Sequence, residues 1–148
     1  MATASGNSIT PVPTAHPDLR RALHELSSSV SKAKGSILFR QGETPTGVYV
    51  LRRGKALLLF ERCDTPIAFR IALPGALLGL PALVGSSRLS LTAEITEDSE
   101  LGFVPRKALV SLLRQDQAMC LHALDLLGRE VQEMRRIAAE QRISDGRR

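Results

Sequence analysis

Between Lys34 and Val104 the sequence alternates short apolar segments with turns rich in glycine, proline and charged residues. In one segment Ile67, Phe69 and Ile71 alternate with Ala68 and Arg70, which is typical of a strand with one face against a core. We predict strands at 37–39, 48–51, 56–61, 67–73, 89–95 and 101–104. Arg52-Arg53-Gly54-Lys55 is predicted to form a hairpin turn, with Gly54 supplying a positive φ. Short strands at this spacing predict an antiparallel roll or barrel.

Before the strands, the sequence predicts a tail and one helix. Residues 1–17 are rich in Ala, Thr, Ser and Pro, and we expect them to form a flexible tail. Asp18 is expected to cap a helix from Leu19 to about Val30, in which apolar residues share one face. Residues 18–148 are long enough to form a single domain with its own core.

After the strands, the sequence predicts two helices. Pro105 opens the first, and Asp116 is expected to cap a longer one over about 116–141. The longer helix carries apolar residues at alternating steps of three and four: Leu124, Leu127, Val131, Met134 and Ala138. Such a seam either packs on the protein's own roll or forms a dimer interface.

Charge distribution and hydropathy argue against a nucleic-acid-binding stripe, a membrane-spanning segment and a signal peptide. The formal net charge is +5, but many basic residues are interleaved with acids or lie in 142–148, which favours a solvated surface over a nucleic-acid-binding stripe. The longest apolar run, 71–85, is too short and too interrupted by Pro and Gly to span a bilayer. The first residues do not resemble a signal peptide. We therefore predict a cytoplasmic protein without a membrane segment.

Metal, redox and catalytic chemistry have little support in the sequence. Cys63 and Cys120 allow one disulfide at most, which is too few thiolates for a zinc or iron–sulfur site, and we expect free thiols. A redox switch is the alternative for these two residues. Apart from Cys120, two residues earlier, His122 has no Cys or His close in sequence, so packing or surface exposure is favoured over haem or metal ligation. No catalytic triad, paired-acid or phosphate-loop motif is present, and we predict a non-catalytic chain with no metal.

Residues 74–93 are the expected site of function. They are dense in glycine and proline yet otherwise apolar, and Arg88 is their only charged residue. This composition is typical of a connection held against a core, where the backbone approaches another group closely.

Glycines and short motifs in correct order make the chain resemble a known family. It resembles the cyclic-nucleotide-binding domain of Crp–Fnr type transcription regulators over about 34–141. The matching positions are 34–43, 47–55, Pro74-Gly75, Gly79, Ala93 and the turn at 97–101. The resemblance implies a mainly β fold with flanking helices, in which an antiparallel jelly-roll (a double-stranded, cupin-like β-roll) is followed by a C-terminal dimerisation helix.

The resemblance also implies a ligand site in 79–93, the family's phosphate-binding cassette. It assigns to this site Gly79, Leu80, Pro81, Ala82, Ser87, Arg88 and Leu89. The family has a Glu that accepts from the ribose and an Arg that pairs with the cyclic phosphate, where this chain has Leu80 and Ser87. Each lost charge-assisted contact is worth roughly 1.5–3 kcal/mol. Arg88 lies one position later than the family's Arg, so a cyclic nucleotide is conceivable as a ligand but disfavoured.

These observations predict a regulatory domain that senses a small-molecule effector and forms a homodimer through its C-terminal helix. A ligand-free dimerisation or protein-interaction module is the alternative from another class. Crp–Fnr regulators carry a helix-turn-helix after the long helix, whereas only 143–148 follow here. The chain is therefore expected to lack a DNA-binding module, or to be the sensor part of a longer regulator.

Overall fold

The structure is a computed structural model that describes residues 9–61 and 66–145. Cys63 lies outside the described residues, as do 1–8 and 146–148. The elements in chain order are β1 (Thr10–Pro11), α1 (Pro17–Leu26), β2 (Ser28–Lys32), β3 (Ile37–Phe39), β4 (Gly47–Glu61), β5 (Pro66–Ala72), β6 (Leu77–Leu78), α2 (Leu80–Val84), β7 (Thr92–Pro105), α3 (Arg106–Gln115) and α4 (Gln117–Asp145).

Two long antiparallel strands, β4 and β7, form the centre of the sheet. The strand order is β1-β5-β4-β7-β2, with β3 also paired to β7 and β6 to β4. All of these pairs are antiparallel except the short one between β1 and β5. This arrangement confirms the predicted mainly β fold with flanking helices and a long C-terminal helix.

The predicted hairpin at 52–55 is wrong, because β4 continues through it as one strand. The pairing register between β4 and β7 shifts around Gly54, which marks a bulge that bends the strand. Gly54 has a φ of +102°, and an added Cβ would lie 2.7 Å from the carbonyl oxygen of Asp98. The positive φ therefore bends a strand instead of reversing it. Opposite β4, the predicted strands 89–95 and 101–104 are likewise joined in β7, which begins at Thr92.

The N-terminal segment contacts the roll well before Pro17, where the predicted flexible tail ends. Thr10–Pro11 forms β1 against β5. Val12 is only 7% exposed, and its N–H donates to the carbonyl oxygen of Ile71 at 2.8 Å. Burial of an apolar side chain together with ladder hydrogen bonds accounts for this placement. We call residues 10–15 the strap.

The helices begin and end close to the predicted positions, with one exception. α4 begins one residue after Asp116, whose Oδ1 accepts from the backbone N–H of Met119 at 3.2 Å, as expected of a cap. At the start of α1 the side chain of His16, and not that of Asp18, accepts a backbone N–H. The predicted helix to Val30 instead ends at Leu26, because the serine-rich segment after it pairs with β7 as β2.

Buried residues form two clusters. In the first, α1, α3 and α4 pack on β4 through residues such as Leu19, Leu23, Val48, Leu109 and Leu126. The second consists of sheet residues together with Val12 of the strap. The strap is thus part of the core. Within the described residues, no helix combines the length and apolar character needed to cross a bilayer.

Candidate functional site

The predicted cassette folds into β6, the short helix α2 and the connection to β7. Gly79 precedes α2 with a φ of +94°, a conformation that L side chains rarely adopt. α2 has five residues, of which Leu80, Ala82 and Leu83 are buried. Arg106 holds the C-terminal end of α2, because its Nη1 donates to the carbonyl oxygen of Leu83 at 2.7 Å.

A cavity of about 80 Å³ lies beneath α2, and we call it the roll cavity. Its walls come from the sheet, the cassette, the strap and α4. Most of its lining is apolar, including Phe39, Leu58, Leu77, Ala82 and Leu89. Among the described residues that line it, Glu130 of α4 is the one ionisable group.

The structure divides the seven predicted site residues among three places. Four of them line the roll cavity: Gly79, Pro81, Ala82 and Leu89. Leu80 is 1% exposed and packs in the helical cluster. It borders a second, smaller cavity of about 20 Å³ beside Leu126 and Leu127. The cassette therefore contributes backbone and apolar side chains to the roll cavity.

Ser87 and Arg88 face away from the roll cavity. Both are exposed and border an outer groove that also includes Arg106. Nη1 of Arg88 donates to the carbonyl oxygen of Gly42 at 3.0 Å, which ties the cassette to the loop after β3. The one charged residue of the cassette thus holds a loop and does not reach the cavity.

The structure reveals a buried ion pair that the sequence did not predict. Arg70 of β5 is 0% exposed, and its Nη1 donates to Oε2 of Glu130 at 2.9 Å. Simple alternation along β5 predicts that Ile71 faces the core and that Arg70 faces solvent. In the structure Ile71 is the more exposed of the two. The register between β4 and β5 shifts between Leu58 and Leu59, and this irregularity breaks the simple alternation.

Both members of the ion pair retain an unsatisfied polar atom. Nη2 of Arg70 donates to the carbonyl oxygen of Pro11 in the strap at 3.2 Å, and Nη1 also contacts Sδ of Met134 at 3.4 Å. Nε of Arg70 and Oε1 of Glu130 are buried and have no hydrogen-bond partner in the described part of the chain. Each unpaired buried polar atom costs free energy, so the junction between β5 and α4 is held at some cost in stability.

The seam predicted on α4 separates into two faces. Leu124, Val131 and Ala138 are exposed. Leu127 instead packs against the helical cluster, and Met134 contacts the buried Arg70. Leu121 extends the outward face, since it is 61% exposed. We call Leu121, Leu124, Val131 and Ala138 the outer stripe.

His122 has a neighbour that is distant in sequence. Its ring stacks on that of His16 with centroids 3.7 Å apart and planes 11° from parallel. Ligand atoms of the two histidines and Asp18 lie within 4.8 Å of one another. Nitrogen lone pairs lie in the ring plane, so two nearly parallel stacked rings do not direct them at a single ion. In this geometry the pair serves to pack the N-terminus of α1 on α4.

Comparisons with known proteins agree with this architecture. A family model described as "Cyclic nucleotide-binding domain" matches residues 29–116. No curated protein sequence matches the chain significantly.

Several solved structures share the fold. The catabolite activator protein of Thermus thermophilus superposes with a TM-score of 0.74 at 21% identity, over 88% of this chain and 60% of that one. A transcriptional regulator of Thermotoga maritima gives a TM-score of 0.69 at 19% identity, over 82% and 93%. A putative cAMP-binding regulatory protein of Silicibacter pomeroyi gives 0.64 at 19% identity, over 85% and 58%.

These structures confirm the predicted jelly-roll β-roll with its C-terminal helix. The chain spans 60% and 58% of the Thermus and Silicibacter proteins, respectively. The family model covers more than half of the chain, and its matched residues include the cassette and the cavity-lining strands. The chain therefore belongs to the cyclic nucleotide-binding domain family.

Proposed function

We propose that this chain is a non-catalytic regulatory domain that senses a small molecule and couples occupancy of the roll cavity to α4. One observation carries the proposal: Glu130 belongs to α4, lines the cavity and is ion-paired to Arg70 of the sheet. A ligand that fills the part of the cavity next to Glu130 therefore contacts this helix. A ligand that prefers one arrangement of α4 then shifts the equilibrium toward that arrangement.

We also propose that the ligand is not held as a cyclic nucleotide is held elsewhere in the family. Leu80 and Ser87 stand where the resemblance expects a Glu and an Arg. Leu80 packs into the core, while Ser87 and Arg88 face the outer groove. Among the described residues that line the cavity, the ionisable one is Glu130, an acid already paired with Arg70, so this lining offers a phosphate no free positive partner.

The outer stripe supports a homodimer formed through α4. Its large apolar side chains, Leu121, Leu124 and Val131, are 61%, 57% and 49% exposed on one helix. A second copy of the stripe is the natural partner, since isologous pairing buries the same patch on both subunits. We propose that this dimer is cytoplasmic and is the sensor part of a transcription regulator, since one solved structure that shares its fold is described as a transcriptional regulator.

The size of the cavity favours a second candidate function. At about 80 Å³, with Val12 of the strap in its wall, the cavity is small for any nucleotide. A domain whose core has closed over its former ligand site, and which acts through α4 alone, would show such a cavity. This dimerisation module differs from a sensor in one respect: its cavity and α4 are not coupled.

A cavity-filling substitution separates the two candidates without requiring the natural ligand. In Ala82→Met, a longer side chain points from α2 into the space that a ligand would take. We expect a sensor to respond with altered amide hydrogen exchange in α4 around Glu130 and in the strap. The matched control is Val84→Met, because Val84 is on the same helix but is 51% exposed.

Unchanged exchange in both regions of a folded Ala82→Met protein would refute coupling and favour the dimerisation module. Calorimetric titration of the wild-type chain with cyclic AMP and cyclic GMP tests the ligand separately. We expect no saturable heat at micromolar nucleotide, and micromolar binding would overturn the second part of the proposal.

A further inference from the structure

One residue of the strap, Val12, belongs to the walls of both cavities. Its side chain is buried and packs in the cluster of sheet residues. It lines the roll cavity, and together with Pro13 it also lines the smaller cavity beside α4. Leu77 and Pro81 line both cavities as well, so the two spaces are neighbours. The isopropyl group of Val12 thus takes up room in the part of the roll where the two cavities meet.

The strap is attached at the edge of the sheet and by few bonds. β1 is the outermost strand beside β5, and only two of its residues pair there. Pro11 and Pro13 have no N–H, so the strap does not form a continuous ladder. Oγ1 of Thr10 is buried without a hydrogen-bond partner among the described residues, which costs free energy in the docked position. A short edge segment of this kind can open while the core stays folded.

Two arginines connect the strap to α4. Nη2 of Arg70, whose Nη1 pairs with Glu130, donates to the carbonyl oxygen of Pro11 at 3.2 Å. Nη2 of Arg129 on α4 donates to the carbonyl oxygen of Thr14 at 3.1 Å. When the strap leaves, both guanidinium groups lose these acceptors. The docked position of the strap and the position of α4 are therefore linked.

Resting on the function proposed above, we propose that the strap is a built-in occupant of the ligand site. Val12 fills the space where the two cavities meet, and the ligand binds when the strap has left. Because the strap competes with the ligand, the observed affinity is reduced by the small fraction of molecules in which the strap is open. The roll cavity of about 80 Å³ is then the closed state of a larger site.

Naphthalene tests this displacement without the natural ligand. An engineered apolar cavity of about 150 Å³ holds the smaller molecule benzene, so naphthalene does not fit into about 80 Å³. Binding is followed by chemical shift changes at the backbone amides of Leu77 and Leu78. At saturation we expect faster hydrogen exchange at the amide of Val12, which donates to Ile71 in the docked strap. The amide of Leu51, in the sheet, is the internal reference and is expected to keep its protection.

Two substitutions in the strap are expected to change the affinity in opposite directions. Val12→Ser removes most of the apolar side chain and loosens the strap, so naphthalene should bind at least about tenfold more tightly. Thr10→Val is nearly isosteric and removes the unpaired hydroxyl. It holds the strap more firmly and should weaken binding about fivefold or more. Val84→Ser is the control, because it makes the same change at a side chain that is 51% exposed on α2.

The inference is overturned if naphthalene does not bind, if it binds while the amide of Val12 keeps its protection, or if Thr10→Val leaves its affinity unchanged. It is also overturned if a folded Val12→Ser protein binds naphthalene no more tightly than the wild-type chain. The comparison of the wild-type chain with Thr10→Val stands even where Val12→Ser does not fold, since Thr10→Val is expected to stabilise the protein.

The same titration separates this inference from the proposed function. If naphthalene opens the strap but leaves amide exchange in α4 around Glu130 unchanged, the strap is an occupant of the site and the coupling to α4 is wrong. If the affinities fail to shift while Ala82→Met still alters exchange in α4, the sensor function stands and the strap is not the occupant.

Discussion

Arg70 and Glu130 join the sheet to α4 through one ion pair of 2.9 Å, and the two residues differ sharply in their access to solvent. The side chain of Arg70 is 0% exposed, whereas that of Glu130 is 22% exposed. Glu130 lines the roll cavity, whereas Arg70 is fully buried and does not. The pair also links three separate elements, since the same guanidinium holds the strap through Pro11.

Removing the positive member is expected to destabilise the fold strongly. Arg70→Met leaves Glu130 partly buried and without its partner. Breaking a buried pair costs about 3–5 kcal/mol, and we expect the lower end because Glu130 keeps some exposure. Urea denaturation followed by circular dichroism measures this loss in the free energy of unfolding.

The double variant Arg70→Met/Glu130→Leu is the matched control for that change. Replacing both members with apolar side chains is often neutral, or stabilising by about 1–4 kcal/mol, because neither charge remains buried. We expect the double variant to regain most of the stability that Arg70→Met loses. If the single and double variants unfold at the same urea concentration, the ion pair is not what holds this wall of the cavity.

Tyr49 offers a second test, because it is the chain's single tyrosine and reports on the sheet beside the cavity. Its ring lies 5.0 Å from that of Phe103 and 6.3 Å from that of Phe39, which lines the cavity. Burial raises the pKa of the Tyr49 hydroxyl above its ordinary value, and the carboxylate of Glu43 raises it further. The folded state thus holds this proton more tightly than the unfolded chain does.

The raised pKa has a defined effect on stability. The protonated Tyr49 contributes its full share to the free energy of unfolding at pH values below the pKa of tyrosine in the unfolded chain. That contribution is lost as the pH rises through the pKa of Tyr49 in the folded protein. Phenolate absorbance should therefore titrate at higher pH in the native protein than in urea. Glu43→Gln should lower the native midpoint without bringing it to the unfolded one, because burial is the larger cause. Equal midpoints in native and unfolded protein would contradict this expectation.

The elements of the fold were predictable wherever local pattern and tertiary packing agree. The strands and the two C-terminal helices follow from periodicity and capping residues such as Asp116. The errors arise where a non-local partner decides. Gly54 signals a positive φ, but only pairing with β7 determines that the chain bends instead of turning back. The strap is a second such error. Its composition is typical of a flexible tail, and only its pairing with β5 determines that it joins the sheet.

The cassette was predictable in its backbone but not in its chemistry. A short helix, α2, follows Gly79 as the resemblance implies, since glycine spacing records backbone geometry, whereas a ligand role for these residues stays a prediction. The pairing of Arg70 with Glu130 was not visible, because they are far apart in sequence and a register shift in the sheet turns Arg70 inward. On a strand whose pairing register shifts, the alternation of apolar and polar residues alone does not predict which side chains are buried.

The outer stripe leads to a third prediction, which concerns the oligomeric state. Val131 is 49% exposed on α4, so Val131→Glu should leave the fold of one chain intact. In a dimer formed through the stripe, it replaces a buried apolar side chain on each subunit with a charge. Full burial of one such side chain is worth roughly 1.5–3 kcal/mol, so the dissociation constant should rise at least about 100-fold.

Analytical ultracentrifugation of the wild-type chain and two variants measures this change. Val84→Glu is the control, because it introduces the same charge at a side chain that is 51% exposed on α2, away from the stripe. We expect the control to sediment with the wild-type dimer and Val131→Glu to sediment as a monomer with an unchanged melting curve. A wild-type chain that is already monomeric, or a Val131→Glu variant that remains dimeric, would show that the exposed face of α4 is not where two copies meet.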